Sequence, residues 1–128
     1  MNIPDDRRYS SDHEWIQREG ESSVVRIGIT DYAQDSLGDV VFVEIPDVGQ
    51  TVAASDSVTE VESTKSVSDI YAPVAGTISA VNDALDDEPQ LLNSDPYGDG
   101  WICSIEMSDP AQYDALLDAA AYRALTEG

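Results

Sequence analysis

Short runs of apolar residues, some alternating with polar ones, occur through most of the chain. This pattern is typical of short β-strands. Between residues 23 and 30, for example, Val25, Ile27 and Ile29 form one of the two faces of a pleated strand. A turn at residues 19–21 separates that segment from an earlier apolar one. The pattern predicts strands at residues 15–18, 23–30, 39–45, around 52, 57–62, 66–71, 77–81 and 101–107.

Helix signals are fewer, and the first follows the second strand. Thr30 or Asp31 can cap a short helix over residues 32–37, and Gly38 is placed to end it. Residues 82–100 are rich in Asp, Pro, Asn and Gly, so we expect a loop there.

A second helix signal lies after the last strand. Asp109 followed by Pro110 is a typical helix start. We expect one helix or a pair of helices, whose buried face comprises Tyr113, Leu116, Leu117 and Ala120. Many short strands with few helices predict a mainly β fold, a small barrel or sandwich with helical decoration.

Length and composition favour a single domain over residues 1–128, with a core at about 9–107 and a C-terminal helical segment at about 109–126. No run of about 18 apolar residues suggests a membrane span, and the N-terminus has no apolar leader. The single cysteine, Cys103, excludes an internal disulfide framework, and its apolar strand favours a core position. A monomeric cytoplasmic protein is the expectation.

The charge balance is strongly acidic, with 26 Asp and Glu residues against 6 Lys and Arg and a formal net charge of -20. Nucleic acid is excluded as a partner because no basic patch can neutralise phosphates. The acidic residues are spread along the chain, and molar salt would screen their repulsion. This composition predicts a protein adapted to a salty cytoplasm. The alternative is an acidic face for a basic partner.

Lys65 is the only lysine; the other five basic residues are arginines. Arginine keeps the charge but offers no primary amine for amide formation. Lys65 lies in a short polar segment between two predicted strands, where a hairpin tip would expose it, although Thr64-Lys65 is not a favoured turn pair. A covalently modified lysine and an ordinary surface lysine are both compatible with composition alone.

Four ordered motifs carry a family resemblance. Residues 62–76, around Lys65, resemble the lipoyl-lysine segment of the glycine cleavage system H protein family. His13-Glu14-Trp15 looks like the opening motif of that family. Residues 28–46 are similar to its central signature, and residues 93–101 to its late loop.

The resemblance implies a flattened barrel-sandwich hybrid of the lipoyl and biotinyl type, with a short early helix and C-terminal helices. It also implies a non-catalytic carrier subunit with lipoate amide-linked to Lys65. Such a carrier takes the aminomethyl group from the pyridoxal-phosphate glycine decarboxylase (P protein) to the tetrahydrofolate-dependent aminomethyltransferase (T protein). It passes reducing equivalents to dihydrolipoamide dehydrogenase. A lipoate-attaching enzyme is a further implied partner.

Four more residues have expected roles beside Lys65. Glu14 and Asp69 match family positions that line a cleft for the lipoyl arm, where a carboxylate can pair with a cationic arm. Glu62 and Ser63 lie just before the acceptor, separated from it by Thr64, so we expect the attaching enzyme to recognise them. Ser36 stands where some family members have histidine, and no role of that histidine transfers.

Other functions receive less support from the residues. His13 is the only histidine and has no partner at metal-ligand spacing, so no metal site is expected. An H-like protein that mainly relays lipoyl groups to other lipoyl domains is the leading alternative. A lipoyl domain of a 2-oxo acid dehydrogenase, a biotin carrier, and a hydrolase or binding protein with an acidic pocket rank below it.

Overall fold

The computed structural model describes residues 2–18 and 20–127, so Glu19 of the predicted turn at 19–21 lies outside the described residues. Strands and helices alternate irregularly along the chain. In order they are β1 Arg8–Tyr9, β2 Glu14–Arg18, β3 Val24–Ile29, α1 Asp31–Leu37, β4 Val40–Val43, β5 Thr51–Val52, β6 Ser57–Ser63, β7 Val67–Tyr71, β8 Gly76–Val81, α2 Ala84–Asp87, α3 Leu91–Ser94, β9 Cys103–Met107, α4 Ala111–Asp114 and α5 Ala119–Glu127.

The described strands form two open antiparallel sheets. The larger has the order β1-β2-β3-β9-β8-β5, and the smaller has the order β4-β6-β7. The predicted mainly β architecture is confirmed, and of the two forms considered it is the sandwich. No helix in residues 2–18 and 20–127 combines the length and apolar character needed to cross a bilayer.

The main core lies between the inner faces of the two sheets. The alternation seen in the sequence is present in β3, where Val25, Ile27 and Ile29 are fully buried. The small sheet contributes Val43 and Val61 to the same cluster. Each such side chain contributes roughly 1.5–3 kcal/mol by leaving water, so this layer supplies much of the stability.

A second apolar cluster joins the ends of the chain to the large sheet. It contains Tyr9, Trp15 and Tyr122, and the Tyr9 and Tyr122 rings stack with centroids 4.7 Å apart. Gly28 makes room for Trp15, because a Cβ at residue 28 would lie 2.6 Å from the indole ring. The cluster holds α5 against the outer side of the sandwich.

Two expectations about the later part of the chain are wrong. Residues 82–100 are not a plain loop, because they contain the one-turn helices α2 and α3, whose Leu85 and Leu92 are fully buried. The C-terminal segment is a helix pair, interrupted where Leu117 forms a β-bridge with Tyr9. The interruption changes the helical phase, so Ala119 and not Ala120 is buried.

Candidate functional site: a lysine hairpin beside a cleft

Lys65 lies at the tip of the β6–β7 hairpin. The Ser63 amide donates to the Ser66 carbonyl at 2.8 Å, which closes the turn. The Ser63 hydroxyl oxygen accepts from the amides of Lys65 at 3.2 Å and Ser66 at 3.1 Å. Serine side chains commonly stabilise turns in this way. The serine therefore supplies the acceptor that makes a tight tip possible without a favoured turn pair.

The tip rests on the junction between α1 and β4. The Thr64 amide donates to the Asp39 carbonyl at 3.0 Å. Asn93 supports that junction, since its Oδ1 accepts from the Val40 amide and its Nδ2 donates to the Gly38 carbonyl, both at 2.8 Å. Residues 82–100 were expected to form a loop, and no role was predicted for Asn93. Its role depends on contacts with residues distant in sequence, which a local pattern does not reveal.

Gly38 also gives the lysine side chain space. It ends α1 with φ +78°, a conformation that favours glycine. A Cβ at this position would lie 3.1 Å from Lys65 Cε and 3.3 Å from Cδ. The methylene groups of the exposed lysine thus pass close over the Gly38 backbone.

The Lys65 amine is available for chemistry. Across residues 2–18 and 20–127, the ion pair found is between Arg7 and Asp6, at 3.0 Å, and it does not involve Lys65. The amine is therefore exposed at a hydrogen-bonded tip, and no carboxylate of the residues that the structure describes forms an ion pair with it.

A cleft of about 260 Å³ adjoins the hairpin, between α1 and β7. Two acidic residues, Asp12 and Asp69, are among those that line it, and Oδ1 of Asp69 accepts from the Ser57 hydroxyl at 3.2 Å. Its lining residues are Asp12, His13, Tyr32, Ala33, Ser36, Leu37, Ser66, Ser68, Asp69 and Ile70. Asp69 thus lies where the sequence placed it, beside the lysine hairpin. Asp12 had no motif to mark it, although it directly precedes His13.

His13 and Tyr32 form an aromatic wall of the cleft. Their rings stack with centroids 4.4 Å apart, and His13 Nδ1 is 2.8 Å from the Tyr122 hydroxyl. The same hydroxyl lies 2.7 Å from Thr30 Oγ1, and Thr30 caps α1. Burial lowers the pKa of His13, so its imidazole is neutral at neutral pH. These bonds fix the wall to the start of α1.

Glu14 is not among the residues that line this cleft. Its side chain is only 1% exposed, its Oε1 accepts from the Ser10 hydroxyl at 3.0 Å and its Oε2 accepts from the Tyr71 amide at 2.7 Å. Burial raises the pKa of Glu14 to about 8, opposed in part by those hydrogen bonds. The carboxyl group of Glu14 has a structural part, because it joins β2 of the large sheet to β7 of the small one.

Glu62 and Ser63 differ in what they present to a partner. Glu62 is exposed on β6, paired across the hairpin with Val67, whereas Ser63 is half-buried and its hydroxyl is hydrogen-bonded within the turn.

Cys103 is fully buried in β9, and burial raises the pKa of its thiol to about 12. Its predicted core position is confirmed, and a thiol nucleophile is incompatible with that burial.

Comparison with known proteins gives one consistent result. The family model described as "Glycine cleavage H-protein" matches residues 7–128. A glycine cleavage system H protein of Micrococcus luteus is 57% identical over 125 residues, covering 98% of each chain. One from Mycobacterium avium is 56% identical over 131 residues, again covering 98% of each chain.

A solved structure supports the same result at the level of the fold. The crystal structure of a glycine cleavage system H protein from Mycobacterium marinum superposes with a TM-score of 0.88. Its sequence is 45% identical, and the match covers 98% of this chain and all of the other. The sandwich and its lysine hairpin therefore belong to a known architecture.

Proposed function

Because the chain belongs to the glycine cleavage H-protein family, we propose that it is a lipoyl carrier whose arm is attached at Lys65. In this proposal it shuttles the aminomethyl group from the P protein to the T protein. It also delivers reducing equivalents to dihydrolipoamide dehydrogenase. The chain supplies no catalytic group of its own and works as a cytoplasmic substrate for these enzymes.

The observation that carries the proposal is the placement of the only lysine. Lys65 lies on a hydrogen-bonded hairpin tip, exposed and without an ion-pair partner in the described chain. An acyl-transfer enzyme needs an accessible amine held at a defined position, and the tip meets both conditions. Glycine at position 38 leaves room for the lysine methylene groups, because a Cβ there would lie 3.1 Å from Lys65 Cε.

Attachment requires an activated lipoyl donor such as an acyl adenylate. The neutral Lys65 amine attacks the acyl carbon; a C–N bond forms, the C–O bond to the leaving phosphate breaks and the amine loses a proton. The product is an uncharged amide. Loading would therefore remove the one lysine charge and leave an arm that carries a disulfide for the redox steps.

The cleft beside β7 suits an arm that bears a cationic group. Asp12 and Asp69 provide negative charge, and the His13–Tyr32 wall provides an apolar surface. The negative charge of these two residues would attract an ammonium, and a neutral His13 would not repel it. Asp69 keeps the arm-contact role expected from the sequence. In this proposal Asp12 takes the place beside it that had been assigned to Glu14.

The deciding experiment is a tryptic mass map of the protein from its native host. Acylated Lys65 resists trypsin, so residues 27–123 should remain one peptide with the added mass of a lipoyl or octanoyl group. Cleavage into 27–65 and 66–123 without added mass, in cells using glycine, would contradict the carrier role.

Replacing Lys65 with Arg provides the matching functional test. The charge and most of the side chain remain, so the fold and thermal unfolding should be unchanged, but no amide can form. Glycine-dependent NADH formation in a reconstituted system should fall to background. A working Lys65→Arg protein would eliminate attachment at this residue.

A further inference from the structure

The outer face of the small sheet carries one row of side chains directly beside the lysine tip. Phe42 pairs with Glu62 across β4 and β6, and Glu62 pairs with Val67 across β6 and β7. All three are exposed, so they share the outer face. We call these three residues the tip row.

The tip row stands out because it exposes apolar side chains on a highly charged protein. Phe42 is 47% exposed, Val67 is 58% exposed, and Val41, next to Phe42, is 54% exposed. Of the seven large hydrophobic residues exposed in residues 2–18 and 20–127, four lie on the small sheet: Val41, Phe42, Val67 and Tyr71. Apolar surface gathered at one place commonly marks an interaction site.

The next outward-facing row of the sheet is acidic. Glu60 pairs with Asp69, and the Glu44 amide donates to the Glu60 carbonyl at 3.0 Å. All three side chains are exposed. We call Glu44, Glu60 and Asp69 the acidic row. A partner that covers both rows must offer an apolar patch beside Lys65 and cations facing Glu62 and the acidic row.

The reach of the lysine determines which partner must contact this face. An enzyme that acylates Lys65 has to bring its reacting centre to the amine itself, so its surface must come close to the strands flanking the tip. An enzyme that acts on the far end of a lipoyl arm can remain a full arm's length away. The flanking surface is therefore best placed to serve the attachment step.

We propose that the tip row, together with the acidic row, is the docking surface for the lipoate-attaching enzyme, with Phe42 and Val67 as apolar anchors on either side of Glu62. This inference rests on the proposed carrier function and adds the surface by which Lys65 is selected. It gives Glu62 a contact role between two anchors and assigns Ser63 to the shape of the turn.

The test uses a double variant, Phe42→Thr and Val67→Thr, which removes both anchors but keeps residues that favour strands. A purified lipoate-attaching enzyme is given lipoyl adenylate and increasing concentrations of the carrier. We expect kcat/KM for acylation to fall by about tenfold, mainly through KM, since buried apolar anchors dominate interface energetics. Val48→Thr is the matched control, because Val48 is 61% exposed but lies in the turn before β5.

Two further measurements separate docking from damage to the tip. A lipoyl succinimidyl ester should acylate Lys65 of the double variant and of the wild type at equal rates. The chemically loaded variant should then accept the aminomethyl group from the P protein normally. In addition, Glu62→Gln should weaken the dependence of enzymatic acylation on salt.

Each outcome decides a separate point. Unchanged kcat/KM in the double variant, with wild type acylated, overturns the docking surface and leaves the carrier function standing. An equal loss in Val48→Thr also overturns it. Normal enzymatic acylation with slow loading by the P protein would assign the surface to the decarboxylase, against our proposal. A wild type that the enzyme cannot acylate overturns both proposals.

Discussion

Glu14 illustrates how burial can change the part a carboxyl group plays. The residue lies in β2, and its side chain contacts the Ser10 hydroxyl and the Tyr71 amide, away from solvent. Desolvation favours the neutral acid, and its pKa of about 8 reflects that penalty. The group therefore binds more protons in the folded chain than in the unfolded chain between about pH 4.5 and 8.

This proton difference predicts how Glu14 affects stability. A carboxyl group whose pKa is raised by folding favours the fold at pH values below the unfolded pKa, and that contribution is lost as pH rises towards 8. In Glu14→Gln the amide can still accept from Tyr71 and donate to Ser10, but it does not titrate. Relative to the variant, the wild type should lose up to about 1.4 kcal/mol per pH unit across this range.

Urea unfolding of both proteins at several pH values between 5 and 8 provides the measurement. The comparison cancels the general repulsion among the other carboxylates, which both proteins share. Parallel stability curves for the two proteins would show that Glu14 does not titrate in this window.

Candidate site residues could be chosen from the sequence, but the contacts that their side chains make could not. Composition singled out Lys65 as the only lysine beside five arginines, and the motif around it, not composition, indicated covalent modification. Asp69 was expected at a cleft because it matches a family position that lines one. Glu14 and Asp12 are two residues apart, and only the sharp turn at His13, with φ +66°, directs one inward and leaves the other on the cleft.

At the scale of elements, the hairpin gains its shape from one serine. Three bonds involve the Ser63 hydroxyl: it accepts from the amides of Lys65 and Ser66 and donates to the Ser66 carbonyl at 3.2 Å. Ser66 is an exposed serine three residues away, and its own hydroxyl takes no part in these bonds. The two positions therefore form a natural pair for mutation.

Ser63→Ala should loosen the tip without unfolding the domain. The lost hydrogen bonds are exposed, so water replaces them at a cost of about 0.5–1.5 kcal/mol. Enzymatic acylation of Lys65 should slow several-fold, and the amides of residues 64–66 should show lower NMR order parameters. Ser66→Ala is the control and should match the wild type in both assays. Equal acylation of all three proteins would remove Ser63 from the positioning of the lysine.

The predicted elements agree with the structure where the sequence shows hydrophobic periodicity or a helix-capping residue. The alternation in β3 and the cap at Thr30 both predicted what the structure contains. Helices α2 and α3 are too short to show a period, and neither has a side-chain cap bond. They exist because Leu85 and Leu92 must reach the core, which is a tertiary requirement invisible to local pattern.

At the scale of the whole molecule, cations are kept close to aromatic rings. Arg7 lies 4.7 Å from the centroid of Trp15, and Arg26 lies 4.4 Å from that of Trp101. Arg8 and Arg18 both lie over Tyr113, at 5.7 and 5.8 Å. Four of the five arginines thus pack on aromatic rings at short range. Salt screens these short cation–π attractions less than it screens the repulsion between surface carboxylates that lie far apart.

This arrangement predicts that salt stabilises the protein. The formal charge of -20 favours expansion in dilute buffer, and the screening length falls from about 30 Å at 0.01 M to about 3 Å at 1 M salt. The urea midpoint should rise with NaCl over this range, together with retained secondary structure by circular dichroism. An unchanged midpoint would contradict the expected adaptation to salt.

A double variant in the acidic row sharpens that test. Glu44→Gln with Glu60→Gln removes neighbouring like charges from exposed strand positions. It should stabilise the protein by about 0.5 kcal/mol at low salt, and the gain should vanish at 1 M. A gain that is the same at both salt concentrations would point to a cause other than charge repulsion.

The Tyr71 amide closes β7 against a carboxyl group located 57 residues earlier in the chain. Its hydrogen can exchange with solvent only when that bond opens, so the deuterium uptake of this one amide measures how often the two sheets part at the base of the hairpin. The lysine at the other end of the hairpin is far from this bond. Comparing the exchange rate of the Tyr71 amide before and after acylation of Lys65 would reveal whether a group attached at the tip changes how often the two sheets separate.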